Sequence, residues 1–500
     1  MMRFRTSHSV GALLLLLVAR GAPSAGSSAS GTLARPRLEG SASGRPREPQ
    51  AEFGRRQATS GEQLLKLFAS DGIQLHRFGV SVAVSSDGAR VVVGANYYDD
   101  QGDQHGSAYV LDGATGERLL KLVASDGAFL DYFGTSVAVS SDGARVVVGA
   151  YSDDDQGFNS GSVHVLDGTT GERLLKLVAS DGAAGDNFGI SVAVSSDGAR
   201  VVVGAKGDDV QGDGSGSAYV LDGTTGERLL KLVASDGAAG DNFGISVAVS
   251  SDGARVVVGA NGDDDQGSGL LKLVASDGAA GDSFGASVAV SSDGARVVVG
   301  ARGDDDQGSY SGSVHVLDGT TGERLLKLVA SDGAAGDNFG ISVAVSSDGA
   351  RVVVGAYYDD DQGFKSGSVH VLDGTTGERL LKLVASDGAG YAKFGNSVAV
   401  SSDGARVVVG AFYDDDQGVE SGSAYVFDGT IVTTETATSS ATETTSETTT
   451  ATTTKTATTT TDTGTISDTS NTTATEPWEL IAVFAGVLIF FIHNAEVEVN

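Results

Sequence analysis

The sequence predicts an all-β fold, a seven-bladed β-propeller closed by pairing of its N-terminal and C-terminal strands. Three observations carry that prediction. A Phe-Gly pair recurs at Phe78, Phe133, Phe188, Phe243, Phe284, Phe339 and Phe394, each time opening a near copy of the stretch FGISVAVSSDGARVVVGA found at Phe188 to Ala205. Each full copy holds four strand-like segments bounded by glycine and aspartate, with no room for a helix. The array is also out of phase with its own ends. Its first recognisable strand, Gln63 to Phe68 (QLLKLF), matches the fourth strand of a unit, whereas its last, Ser423 to Phe427 (SAYVF), matches a third.

The third unit shows why each element forms. Its segments are Ser191 to Ser195, Arg200 to Ala205, Ser217 to Leu221 and Arg228 to Ala234, all short and rich in β-branched or aromatic residues. Asp197-Gly198 tolerates the positive φ of a tight hairpin, so the first two strands are antiparallel. The connection Asp222 to Glu227 (DGTTGE) is too short for a crossover helix. Val201 to Val203 are apolar on consecutive positions, which requires burial on both faces. Radial stacking of like sheets supplies that burial, with small Ser191, Ala193 and Ser195 nearest the crowded axis. Phe188 is expected to wedge between blades while Gly189 lets backbones approach. An open solenoid would leave two unpaired edges; joining Gln63 to Phe427 removes both. The fourth unit lacks its third strand and turn, a real deletion or a gap in the gene model, and Leu270 to Ala275 is expected to take the vacant edge.

The rest of the chain reads as address and spacer. Residues 1–25 have the layout of a secretory signal peptide, with Arg3 and Arg5 before the apolar run Gly11 to Ala19. Residues 26–62 form a low-complexity linker to the propeller at 63–428. Residues 429–476 are a Thr/Ser-rich stalk, expected to be disordered because it has too little apolar surface to offset its ordering entropy. Asn471 with Thr473 makes an N-glycosylation pattern there. Residues 478–494 surround the run Leu480 to Ile492, expected as a short hydrophobic helix that anchors the chain in a membrane, and 495–500 are a polar tail. The run is short against the roughly 30 Å hydrocarbon core, so a lipid-anchor signal is its rival, disfavoured by the polar end. No cysteine is present, which excludes disulfides and thiolate chemistry.

The order "FG", then "VVVGA", then "GSAYV" or "GSVHV" resembles the FG-GAP repeats of the integrin α-subunit head, across all seven units from about Gln63 to Asp428. That resemblance implies a propeller and extracellular ligand recognition. Integrin-type calcium sites occupy a longer loop between first and second strands. Here that place holds only the tight turn at Ser195 to Ala199, so that calcium role does not carry over.

Charge is distributed unevenly. With 65 acidic against 34 basic side chains and a net charge of −31, nucleic acid is excluded as a partner, and cationic surfaces or metal ions are the complements. Loops joining second to third strands share one face with the connectors between blades. The former carry Asp153, Asp154, Asp155, Asp263, Asp264, Asp265, Asp304, Asp305, Asp306, Asp359, Asp360, Asp361, Asp414, Asp415 and Asp416, the candidate ligands for weakly held calcium. The cations expected among them are few: Arg77, Lys206, Arg302, Lys365 and Lys393. Histidines 164, 315 and 370 share a strand position with tyrosines 109, 219 and 425, which reads as a packing slot. No nucleophile, base and orienting group form a constellation. The expectation is a non-enzymatic cell-surface propeller for adhesion or for binding an extracellular protein or glycan. A structural coat protein and an exported hydrolase are the alternatives.

Overall fold

The structure, a computed structural model, describes residues 61–97, 104–263, 273, 275, 277–279 and 281–431. The expected leader, most of the linker, nearly all of the stalk, Asn471 and the hydrophobic C-terminal segment lie outside the described residues. Among the described residues there is no helix, hence none long and apolar enough to cross a membrane.

Each unit folds as the turn chemistry requires. In the third, Phe188–Val194, Arg200–Ala205, Ser217–Asp222 and Arg228–Leu232 pair in sequence order, every neighbour antiparallel. Of the two turn residues only Gly198 takes positive φ, +72°. Asp197 instead braces the turn: its Oδ1 accepts from the Ala199 N–H at 2.9 Å and from Ser195 Oγ at 2.7 Å. Six units give four-stranded sheets. The shortened fourth gives a two-stranded one, Ser246–Val249 with Val256–Gly259, and the strand expected at Leu270 to Ala275 falls largely outside the described residues.

The ring closes where the chain ends predict. Gln63–Leu67 pairs antiparallel with Ser423–Asp428, placing Gln63 opposite Phe427 and Lys66 opposite Tyr425, so the N-terminal strand completes the seventh sheet. A continuous circuit of backbone hydrogen bonds runs through the first turns. The N–H groups of Ser86, Ser141, Ser196, Ser251, Ser292, Ser347 and Ser402 each donate to the matching carbonyl of the next unit, and Ser402 donates back to Ser86, all at 3.0 to 3.1 Å. A second circuit uses the first-strand serines: Ser81 Oγ donates to the Gly134 carbonyl and Ser191 Oγ to that of Gly244, both at 2.8 Å, and Ser397 Oγ closes the series on Gly79 at 2.9 Å. Both circuits include the short fourth unit, so seven units share one axis.

Packing between blades explains the repeated VVV. Val201, Val202 and Val203 are fully buried, but they serve different interfaces. Val201 and Val203 join Val147, Val165 and Phe188 on the side of the second unit, whereas Val202 joins Val220 and Val247 on the side of the fourth. Burying one such side chain contributes roughly 1.5–3 kcal/mol. The Phe-Gly pair acts as expected. Phe188 is buried edge-to-face on Tyr219, and Gly134 (φ +94°) lies so close to its neighbour that a Cβ there would meet the Ser107 carbonyl oxygen at 2.2 Å.

Candidate ligand-recognition face

The described aspartate-rich loops are braced by their own hydrogen bonds, and their spacing encodes the reason. In the second unit the buried first aspartate, Asp153, accepts through Oδ1 from the Asp155 N–H at 3.0 Å, an Asx-type turn. Its own carbonyl accepts from the Ser160 hydroxyl at 3.0 Å and from the Gly161 N–H at 2.8 Å. The middle aspartate, Asp154, accepts from the N–H of Asn159 at 2.6 Å, a residue held at φ +56°. The same bond from the middle carboxylate holds Gly214 on Asp209, Tyr310 on Asp305, Lys365 on Asp360 and Glu420 on Asp415. The motif DDDQG-x-x-SGS is therefore a self-bonded loop whose two carboxylate caps are fixed in place.

The cation among these carboxylates is a lysine from the fourth strand. Lys176 Nζ lies 2.8 Å from Asp153 Oδ2, 2.6 Å from Asp155 and 3.2 Å from Asp126 of the preceding connector. Lys327 repeats the arrangement with Asp304, Asp306 and Asp277, and Lys382 repeats it with Asp359, Asp361 and Asp332. In the seventh unit the lysine is Lys66 of the N-terminal strand, bound to Asp387, Asp414 and Asp416, so closure is electrostatic as well as hydrogen-bonded. In the third unit Lys231 holds Asp181 and Asp208. Burial pulls the Lys176 pKa down, but its hydrogen bonds to Asp153 and Asp155 and the charge of Asp153 outweigh that, and the ammonium is held above its ordinary value.

Sequence reasoning missed these lysines and the arginines three residues before them. Arg118, Arg173 and Arg379 reach the connector aspartates Asp71, Asp126 and Asp332. The loop face is thus less negative than its aspartates alone suggest. Its exposed carboxylates are chiefly the middle and outer ones of the described triplets, such as Asp360 and Asp361.

The structure does not bring the triplets of different blades together. Within a blade, two of the three carboxylates meet on the lysine, where a divalent ion would have to compete with the ammonium. Among the described residues no group of three or more His, Asp or Glu side chains is arranged to hold a metal. Asp263 is described, and Asp264 and Asp265 are not.

Behind the lysine lies the slot that sequence reading assigned to packing. Tyr219 OH donates to Asp208 Oδ2 at 2.9 Å. In the second, fifth and sixth units the slot holds His164, His315 and His370, all fully buried, each with Nε2 3.3 to 3.4 Å from a serine hydroxyl and edge-to-face on the repeat phenylalanine. Burial, then repulsion from Lys176, pushes the His164 pKa down to about 4; His315 and His370 behave alike beside Lys327 and Lys382. Nearby Asp131 is pushed the other way, up to about 6, by burial first and by the Asp153 charge, against a hydrogen bond from the Ala128 N–H. Along the axis, first-strand residues such as Ile190, Ser191 and Val192 of every unit line a cavity of about 230 Å³.

A ring of radially stacked antiparallel sheets, six of them four-stranded, with its aspartate-rich loops gathered on one face is a β-propeller. A family model described as FG-GAP repeat matches seven segments, residues 62–111, 118–166, 173–221, 228–271, 269–317, 324–372 and 379–427. The chain belongs to the FG-GAP repeat family, and its propeller resembles that of integrin α subunits. No curated protein matches it.

Proposed function

We propose that the chain is a cell-surface propeller that recognises an extracellular ligand through its aspartate-rich loop face, carried on the Thr/Ser-rich stalk and tethered by the hydrophobic C-terminal segment. It acts by binding and not by catalysis. The observation that carries this reading is the internal bracing of the loops. Ordering the loop backbone costs nothing further when a ligand arrives, so exposed groups such as Asp360 and Asp361 are preorganised. The leader, the stalk and the apolar run support the secretory, membrane-tethered location. Calcium enters this reading as a weak counter-ion of the exposed outer carboxylates. Attachment of cells displaying the protein to an extracellular matrix tests the proposal. Changing Asp305, Asp306, Asp360 and Asp361 to Asn, with the buried first aspartates kept, should abolish attachment while surface display is unchanged; undiminished attachment overturns it.

A second reading, a packing unit of a cell coat, draws on Leu119, Leu174, Leu229 and Leu325, exposed at corresponding positions on the fourth strands of four blades. It requires that these leucines, and not the loop aspartates, govern retention at the surface.

A further inference from the structure

The units are near copies, and their departures from one another fall together. Just before the Phe-Gly pair, four units have Asn or Ser (Asn187, Asn242, Ser283, Asn338), whereas the seventh, first and second have Lys393, Arg77 and Tyr132. At the start of the aspartate-rich loop the third, fourth and fifth units have glycine second (Gly207, Gly262, Gly303). The sixth, seventh, first and second have Tyr358, Tyr413, Tyr97 and Tyr151 at the same turn. Blades six, seven, one and two are contiguous only because the ring closes.

Their side chains make one continuous arc. Tyr151 stacks on Tyr132 (centroids 5.4 Å apart) and Tyr132 on Tyr97 (5.9 Å). The Arg77 guanidinium lies 4.3 Å from the Tyr97 ring centre and 5.5 Å from that of Tyr413. Lys393 Nζ is 3.9 Å from Tyr413 and 5.6 Å from Tyr358, and Lys365 Nζ is 4.1 Å from Tyr358. Three cations are thus gathered on tyrosine faces. Glu420 pairs with Arg77 at 3.1 Å; Lys365 and Lys393 have no carboxylate at ion-pair distance among the described residues. Lys393 is also held below its ordinary pKa, by burial first and by repulsion from Lys365 and Arg77, against the opposing influence of Tyr358 and Glu420. In a face crowded with aspartates, two ammoniums gathered on tyrosine rings with no carboxylate at ion-pair distance among the described residues are positioned for an added anion.

The surroundings narrow the ligand. A polyanion is repelled by the exposed Asp360, Asp361, Asp415 and Asp416 on the flanking loops, so one acidic group must suffice. Those carboxylates are acceptors only, which suits a molecule rich in hydroxyl donors, and the tyrosines supply apolar ring surface. A peptide brings as many carbonyl acceptors as N–H donors, and its carbonyls would face carboxylates. We propose that the arc binds a saccharide bearing a single carboxylate, of the hexuronic or sialic acid type, with that carboxylate on Lys365 and Lys393. The inference rests on the reading of the loop face as a recognition surface and names its ligand class.

The test is titration of the full chain with N-acetylneuraminic acid and glucuronic acid, followed by ligand-observed NMR. N-acetylglucosamine and a short peptide with one aspartate are run beside them. At least one acidic sugar should bind, with the neutral sugar and the peptide at least 10-fold weaker. The double variant Lys365→Met and Lys393→Met, which keeps the aliphatic stems over the tyrosines, should lose that binding by 10-fold or more at an unchanged melting temperature. Lys206→Met, in the third unit outside the arc, should not. If the double variant melts lower, Lys393→Arg serves as the second variant and should retain binding. No binding of either acidic sugar, equal binding by the double variant, or preference for the peptide overturns the inference. Should matrix attachment still depend on the loop aspartates in that case, the recognition-face reading stands and only the ligand class fails.

Discussion

Replacing His164, His315 and His370 by tyrosine should remove most of the acid sensitivity of the propeller between pH 6.5 and 4. In the unfolded chain an imidazole takes up its proton near pH 6.5; in these buried slots it does so only near 4. The folded pKa is depressed, so the contribution to stability is complete above 6.5, declines as pH falls through the window, and is lost by about 4. A difference between 6.5 and about 4 is worth about 3 kcal/mol per histidine, and the three together approach 10 kcal/mol if they act independently. Tyrosine already occupies the slot at Tyr219, where its hydroxyl finds Asp208, so the replacement fits the surrounding packing. The raised pKa of Asp131 works oppositely, adding stability as pH falls from about 6, but parent and variant share it and the comparison cancels it. Urea midpoints followed by circular dichroism at pH 7.5 and 4.5 measure the effect. The parent should lose several kcal/mol more than the triple variant on acidification. Equal losses would refute the claim that burial of these imidazoles sets the acid limit.

Three further outcomes follow from the same geometry. Lys382→Met leaves Asp332, Asp359 and Asp361 without their ammonium and should cost about 3 kcal/mol, with calcium restoring the melting temperature of the variant more than that of the parent; equal responses to calcium would show that the lysine does not stand where a cation binds. Gly134→Ala should prevent accumulation of folded protein, because positive φ and the contact with the Ser107 carbonyl both oppose a side chain; a soluble variant of parental melting temperature would contradict this. Deleting residues 57–67 removes the outer strand of the seventh sheet together with Lys66, so the truncated chain should self-associate in sedimentation while the full chain does not.

The architecture was legible because every cue is local and repeated: the Asp-Gly turn, the doubly buried valines, the out-of-phase ends. The lysines were not, because RLLKL reads as an outer strand with a solvated lysine, and the partners lie far along the chain. One signal did exist. Lys121, Lys176, Lys231, Lys327 and Lys382 each follow their connector aspartate by 50 residues, an offset that puts both in one blade. Lys66 breaks the pattern, lying 321 residues from Asp387, because its blade straddles the closure. Arg77, Lys365 and Lys393 were legible as loop-face cations and ring closure sets the seventh unit beside the first, but their gathering on tyrosine rings depends on side-chain geometry that no spacing encodes.

Repetition also explains where a specific site can arise in such a molecule. Every interface between full blades is built from the same valines, phenylalanine and serine bond, so a departure there would cost packing in two blades at once. The loop face is free of that constraint, since in the second, third, fifth, sixth and seventh units the loops are braced by their own first and middle aspartates and by the fourth-strand lysine. Residues before the Phe-Gly pair and after the second strand touch neither the valine core nor the serine circuit. They can differ from blade to blade without disturbing the ring, and it is there that lysine, arginine and tyrosine replace asparagine and glycine. A nearly symmetric wheel therefore presents an asymmetric surface, positioned by the repeated interfaces between blades and written by the few residues that those interfaces do not use.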